Sequence, residues 1–234
     1  MSSRGRNVIR ALGLCTLVGL SLVLFACETT RQTRSAKPAG FLGDYAQLRP
    51  GTGDEAQFVY FNAAAAWSQY PAIMIDSVTL WQSDKTAKLA PQDAQRLTDY
   101  LYEQLHKQLS QDYKIVDHPG PGVLRLRAAV TEAQGADVAA NAITTVVPQL
   151  RTVTTIGGMA ADAAVFAGKA SVEGELTDSV SGVRLAAVVD ERVGNKTIRG
   201  GLGEWSQVER AFEFWAERLR KRLAELRKSP SPGS

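Results

Sequence analysis

The sequence predicts an α+β fold, a single antiparallel sheet with helices packed on one face, and three observations carry that reading. Residues 123–133 alternate, with Leu124, Leu126, Ala128 and Val130 set against Arg125, Arg127, Ala129 and Thr131. That is the two-residue period of a half-buried strand. Residues 165–177 and 182–193 are two β-rich runs joined by Asp178-Ser179-Val180-Ser181, the composition of a hairpin turn. Two stripes of apolar residues at steps of three and four, one before these strands and one after, supply the helices. The predicted order is β-α-β-β-insertion-β-β-α.

Taken along the chain, Phe41, Leu42, Tyr45 and Leu48 have helical spacing and predict a short helix docked on the domain. Gly51 to Glu55 is a turn-rich break. Ala72 to Trp81, β-branched and apolar after Tyr70-Pro71, is the first strand. Pro91 opens a helix to about Ser110, suited to the first helical position, with Asp93 near the positive end of the macrodipole. Its buried stripe is Ala94, Leu97, Leu101, Leu105 and Leu109. Residues 112–117 form a short strand, and His118 to Gly122 turn the chain into the alternating strand. The last helix spans Glu204 to Lys228, with Trp205, Val208, Phe212, Trp215, Leu219, Leu223 and Leu226 on one face. In the hairpin, Val172, Gly174 and Leu176 are predicted to face the core with Val183, Leu185, Ala187 and Val189. That parity sets Glu175 opposite Arg184 and Lys169 opposite Asp190.

The amino terminus reads differently. Arg4, Arg6 and Arg10 precede an uncharged run from Ala11 to Ala26, the pattern of a secretory signal. It is shorter than the ~20 apolar residues of a spanning helix. Leu24-Phe25-Ala26-Cys27 resembles the lipobox of bacterial lipoproteins, which implies cleavage between Ala26 and Cys27 and acylation of Cys27. Residues 1–26 are then signal peptide, 27–37 a flexible lipidated tether, 38–228 one domain and 229–234 a Ser/Pro tail. Glu28 stands where inner-membrane retention uses Asp, so the predicted location is the outer membrane, facing the periplasm, with the acyl chains on Cys27 as the membrane contact.

Three of the 27 Lys and Arg lie in the signal, leaving 24 against 24 Asp and Glu, so the mature domain is neutral on balance. This argues against nucleic acid as a partner, since that affinity rests on a basic surface. With Cys15 removed and Cys27 acylated, no thiol remains for a disulfide, a metal or a nucleophile. His106 sits on a helix and His118 in a turn. The sequence therefore predicts no metal and no cofactor, and no hydrolase or phosphate-binding motif is present.

Gly40 to Tyr45, Tyr70 to Trp81, and Ala170 to Asp178 together with Asp190-Glu191-Arg192 resemble a family of bacterial lipoproteins known as domain of unknown function 3313. The resemblance spans nearly the whole mature chain. It implies a single envelope domain and no assigned chemistry.

Three functional readings follow. The first is a non-catalytic envelope component acting through an envelope protein or through self-association. The second is a cell-wall or glycan hydrolase using Glu173, Glu175, Asp178 and Asp190, with Glu191 beside them; an exposed hairpin face explains those acids equally well. Trp205, Phe212 and Trp215 similarly suit either a ligand groove or a core. The third is an envelope assembly or pore-forming oligomer. Residues 134–165 exceed the ~12–15 residues usual for an unstructured loop. Asp137, Arg151 and Asp162 are their only charges, and Val146, Val147, Leu150 and Val153 form a candidate interaction surface. Replacing those four with Ser is expected to leave a folded chain that loses its crosslinked envelope partner. Unfolding would make the segment core, and a folded variant that recovers every partner would remove the interface.

Overall fold

The computed structural model describes residues 30–81, 86, 89–135, 167–194 and 203–228. In chain order these form β1 (Thr30–Thr33), β2 (Arg49–Pro50), β3 (Phe58–Phe61), a 3-10 turn (Trp67–Gln69), β4 (Ala72–Ile75) and β5 (Thr79–Leu80). There follow α1 (Pro91–Leu109), β6 (Lys114–Ile115), β7 (Val123–Gln134), β8 (Ala167–Asp178), β9 (Arg184–Gly194) and α2 (Ser206–Lys228). The signal, Cys27, the tail, and Val146, Val147, Leu150 and Val153 lie outside the described residues.

One nine-stranded sheet runs β2-β3-β9-β8-β7-β4-β6, with β1 also on β9 and β5 also on β7. It is mixed, which corrects the prediction of a wholly antiparallel sheet. β4 pairs parallel with β7 and β6, and β5 pairs parallel with β7. The cause is α1: a helix inserted between two strands of one sheet carries the chain back across its face, so the next strand enters in the same direction. The predicted strand over 72–81 is also broken in two, because Asp76, Ser77 and Val78 lie between β4 and β5.

Both helices pack on one face, as the stripes predict. Leu97, Leu101, Leu105 and Leu109 of α1 and Val208, Phe212 and Leu223 of α2 are buried against Ile73, Leu124, Val130 and Leu176 of the sheet. Each such side chain contributes about 1.5–3 kcal/mol by leaving water. Trp205 and Phe212 belong to this core.

The opposite face is covered too, contrary to the reading of a wet face. The predicted tether is part of the fold from Thr30 onward: β1 pairs with Thr30 opposite Gly194 and Thr33 opposite Glu191. Thr30 and Ala36 are buried. The chain then crosses the sheet as a strap through Leu48, placing Phe41 and Leu42 on Ala129, Ala187 and Val189. The predicted helix here is a run of turns, with Gly43 N–H donating to Gly40 O at 3.2 Å and Leu48 N–H to Tyr45 O at 3.0 Å. Gly40 (φ 102°) and Gly43 (φ 71°) take left-handed backbone, which a right-handed helix cannot contain.

The hairpin register also differs. Glu175 lies opposite Ala187, not Arg184, and Lys169 opposite Val193, not Asp190. The Asp178 carboxylate accepts N–H bonds from Val180 at 3.1 Å and Ser181 at 2.8 Å. Asp178 N–H donates to Val183 O, so these two close the loop and its four residues are Ser179 through Gly182, one position further on than the predicted Asp178 to Ser181. A bulge beside Leu176 and Thr177 then offsets β9 further. Val172, Gly174, Leu176 and Leu185 face the helices as predicted, whereas Ala187 and Val189 face the strap and Val183 is exposed.

Phe41 meets Trp81 edge to face with ring centroids 5.6 Å apart, and the Arg127 guanidinium lies 5.0 Å from the Phe41 ring. Phe41→Ala is expected to destabilise the domain by about 3 kcal/mol. Urea unfolding checks the cost, and a shift in Trp81 emission under native conditions checks that the strap has loosened.

Candidate functional site

The acidic residues of the hairpin are the natural place to look for chemistry, and their register separates them. Glu173, Glu175 and Glu191 point to the strap face, Asp190 to the helix face, and Asp178 stays in the turn. Glu173, Glu175, Asp190 and Glu191 are buried, which corrects the expectation of an exposed hairpin face.

Each carboxylate is fully engaged. Glu173, with no exposed surface, accepts the Ala39 N–H at 2.5 Å, the Leu42 N–H at 3.3 Å and the Tyr45 hydroxyl at 2.6 Å, all from the strap. Glu175 is held by Arg127 at 2.5 Å and Arg184 at 2.9 Å. The same Arg184 donates to the carbonyls of Asp44 at 2.7 Å and Leu42 at 2.9 Å, so it too fastens the strap. Although it is not opposite Glu175 in register, its long side chain reaches diagonally. Glu191 accepts from Lys169 at 2.8 Å, Ser35 at 2.5 Å, Ser171 at 3.2 Å and Thr33. Burial opposes ionisation of Glu191, but Lys169, Ser35 and Thr33 outweigh it and hold the carboxyl below the usual range. For Lys169 burial likewise works against charge, and Glu191 and Glu132 prevail, raising it.

On the helix face, Asp190 accepts the Trp215 indole N–H at 2.7 Å, Gln32 at 2.7 Å and the Gln57 N–H at 3.0 Å. It closes one end of a cavity of about 310 Å³ between α2 and the sheet. Ala128, Gly174 and Val188 form the floor, Trp215 and Leu219 the roof, with Leu101 of α1 behind. Arg218 and Arg222 stand at its rim beside Asp54 and Glu225. Trp215 is thus the one member of the aromatic stripe that lines a groove.

The family model described as "Protein of unknown function (DUF3313)" matches residues 37–219. The chain belongs to the DUF3313 family. A search of curated proteins found no match. Among solved structures the chain is similar to a PelC dodecamer from Paraburkholderia phytofirmans, at 14% identity and a TM-score of 0.37 over 69% of this chain and 96% of that one. It is also similar to a candidate lipoprotein from Caulobacter crescentus CB15, at 16% identity and a TM-score of 0.38 over 72% and 100% of the two chains. A third is a DUF4136 family protein from Bacteroides thetaiotaomicron VPI-5482, at 10% identity and a TM-score of 0.33 over 72% and 95%.

Among the described residues of this DUF3313 chain, no group of three His, Cys, Asp or Glu is placed to hold a metal ion. The strap face has little to offer as a reaction centre, because acid–base work needs a carboxyl with an open approach to substrate. The cavity offers apolar area and two guanidinium groups instead. Sequence reasoning missed Tyr45 and Arg127 as partners of the acids; it paired Arg184 with Glu175, an ion pair the structure forms, and Lys169 with Asp190, where the structure gives Lys169 to Glu191 and Glu132. One signal was available: Phe41, Leu42 and Tyr45 needed a surface to cover, and both faces of a central hairpin provide one.

Burial and the hydrogen bond to Glu173 push the Tyr45 hydroxyl up to about 12 from its ordinary 10. A raised phenol favours the neutral form, so this contribution to folding is intact below pH 10 and is lost as pH climbs from 10 through about 12. Tyr45→Phe is expected to remove a step near pH 12 from the tyrosinate absorbance titration. It should also lower stability at pH 7 by about 1–3 kcal/mol, because Glu173 loses a donor while remaining buried. Loss of stability without loss of the high titration step would place the raised phenol elsewhere.

Proposed function

We propose that this DUF3313 protein is a lipid-anchored component of the outer membrane, facing the periplasm, that acts by binding and carries out no catalysis. The observation that carries the non-catalytic reading is the fate of the acids. The hydrolase reading needs Glu173, Glu175, Asp178 and Asp190 to converge, and they are divided among two sheet faces and a turn, each occupied with structural donors. An open feature of the domain is an apolar cavity whose rim carries the ion pairs Arg218–Asp54 and Arg222–Glu225, which suits recognition.

The anchor reading rests on the Leu24-Phe25-Ala26-Cys27 pattern, and the short tether supports it. Thr30 already pairs with Gly194, three residues on from Cys27, a reach of at most about 10 Å. Acyl chains on Cys27 would hold the Thr30–Gly194 end of the sheet against the bilayer. Among the described residues no helix is long and apolar enough to cross a membrane.

Each buried CH₂ gains ~0.8 kcal/mol, so several acyl chains hold a protein stably where one does so marginally. Cys27→Ala is therefore expected to abolish retention by outer-membrane lipid, read by fractionation of envelopes. A Cys27→Ala chain that stays in the outer-membrane fraction with no protein partner would refute the anchor.

A further inference from the structure

We propose that the cavity between α2 and the sheet is a binding site for a single acyl chain whose anionic head group is held by Arg218 and Arg222. The floor of the cavity is a furrow built by register. Val59, Val188, Gly174 and Ala128 are successive partners across β3, β9, β8 and β7. The next row, Phe61, Ala186, Leu176 and Leu126, is bulkier at its β8 and β7 positions. The side-chain volume missing at Gly174 and Ala128 is what leaves space under Trp215 and Leu219.

Gly174 has no local reason to be glycine. Its φ is not positive, and an added Cβ would meet nothing closer than Arg127 O at 3.5 Å and Val188 Cγ2 at 3.8 Å, ordinary contacts. A glycine inside a central strand weakens it, and such positions often mark the close approach of a ligand. A solvent-open groove of about 310 Å³ lined by Val59, Phe61, Leu101 and Leu219 has the size and apolar lining of a small-ligand site.

The chemistry of the walls selects that occupant. The buried polar groups at the closed end, the Asp190 carboxylate and the Trp215 indole N–H, satisfy one another at 2.7 Å. A sugar or peptide placed inside would leave its own polar groups unpaired, whereas methylenes leave none. At the rim, Arg218 and Arg222 are one helical turn apart. Arg218 pairs with Asp54 at 2.6 Å and Arg222 with Glu225 at 3.0 Å, and these acids are 79% and 65% exposed. Surface pairs of this kind are weak and exchangeable, so a ligand carboxylate or phosphate can replace either acid without burying a charge. Arg222 also lies 4.9 Å from the Phe61 ring, which sets its guanidinium at the cavity edge.

The test is photolabelling of the full chain in envelope membranes with a diazirine-bearing dodecanoate. Labelling is expected on the α2 peptide containing Trp215 and Leu219. Gly174→Leu and, from the neighbouring strand, Ala128→Leu fill the furrow and are expected to reduce labelling at least tenfold. Arg218→Glu with Arg222→Glu, a surface change that leaves the core intact, should reduce it several-fold for the acid and not for its methyl ester. Competition by unlabelled dodecanoate against lysophosphatidic acid identifies which anionic head is preferred, and either one competing supports the site. Cys27→Ala chains, labelled in solution with the same probe, are expected to label on the same α2 peptide, which keeps this site separate from the anchor. Folded furrow variants that label like the parent, or label confined to other peptides, would overturn the proposal.

Discussion

A carboxylate with no exposed surface in the middle of a sheet is tolerable only if both of its oxygens find donors, and Glu173 imposes that condition on this fold. Left uncovered by the strap it would be hydrated; covered without partners it would cost several kcal/mol. The strap meets the condition with two backbone N–H groups and the Tyr45 hydroxyl. Phe41 and Leu42 can then sit on Ala129, Ala187 and Val189, and apolar burial and charge satisfaction become one event. Arg184 couples them further, since it binds Glu175 and two strap carbonyls at once.

The two faces of the sheet consequently do different things. The strap face is closed by a network of ionised and hydrogen-bonded groups, where Lys169 bridges Glu132 and Glu191 and Gln57 pairs both ways with the Ala36 backbone. Such a network resists rearrangement, because removing any one member strands another in a low-dielectric interior. The helix face is held by apolar contact alone over most of its area and is imperfectly filled where Ala128 and Gly174 meet α2. Polar specificity therefore lies on one side of the sheet and apolar slack on the other.

Much of this was legible in the sequence. The stripes of α1 and α2, the alternation of β7 and the existence of the hairpin all come from periodicity, which records the nearest buried surface. The parity of Val172, Gly174 and Leu176 came from the same source. What periodicity could not record was a second cover. Glu173 and Glu175 alternate with apolar neighbours as an exposed strand would, since alternation reports only that the two faces differ and not that one is wet. The register escaped for a related reason: it was set by the Asp178 turn and by a bulge, both backbone events with no side-chain period.

Local composition by itself determined the elements, the balance of charge beyond residue 26, the family resemblance and the likeness of Leu24-Phe25-Ala26-Cys27 to a lipobox, because each depends on residues close together in the chain. Tertiary structure alone decided that β4 and β5 run parallel to β7, that residues 30–37 are cover instead of tether, and that the acids serve the fold. It also decided where a cavity would open. Those outcomes depend on pairs such as Tyr45 with Glu173 and Gly174 with Val188, brought together by register and crossover. A contact between residues far apart in the chain leaves no period in either segment, so its physics appears only when the sheet is assembled.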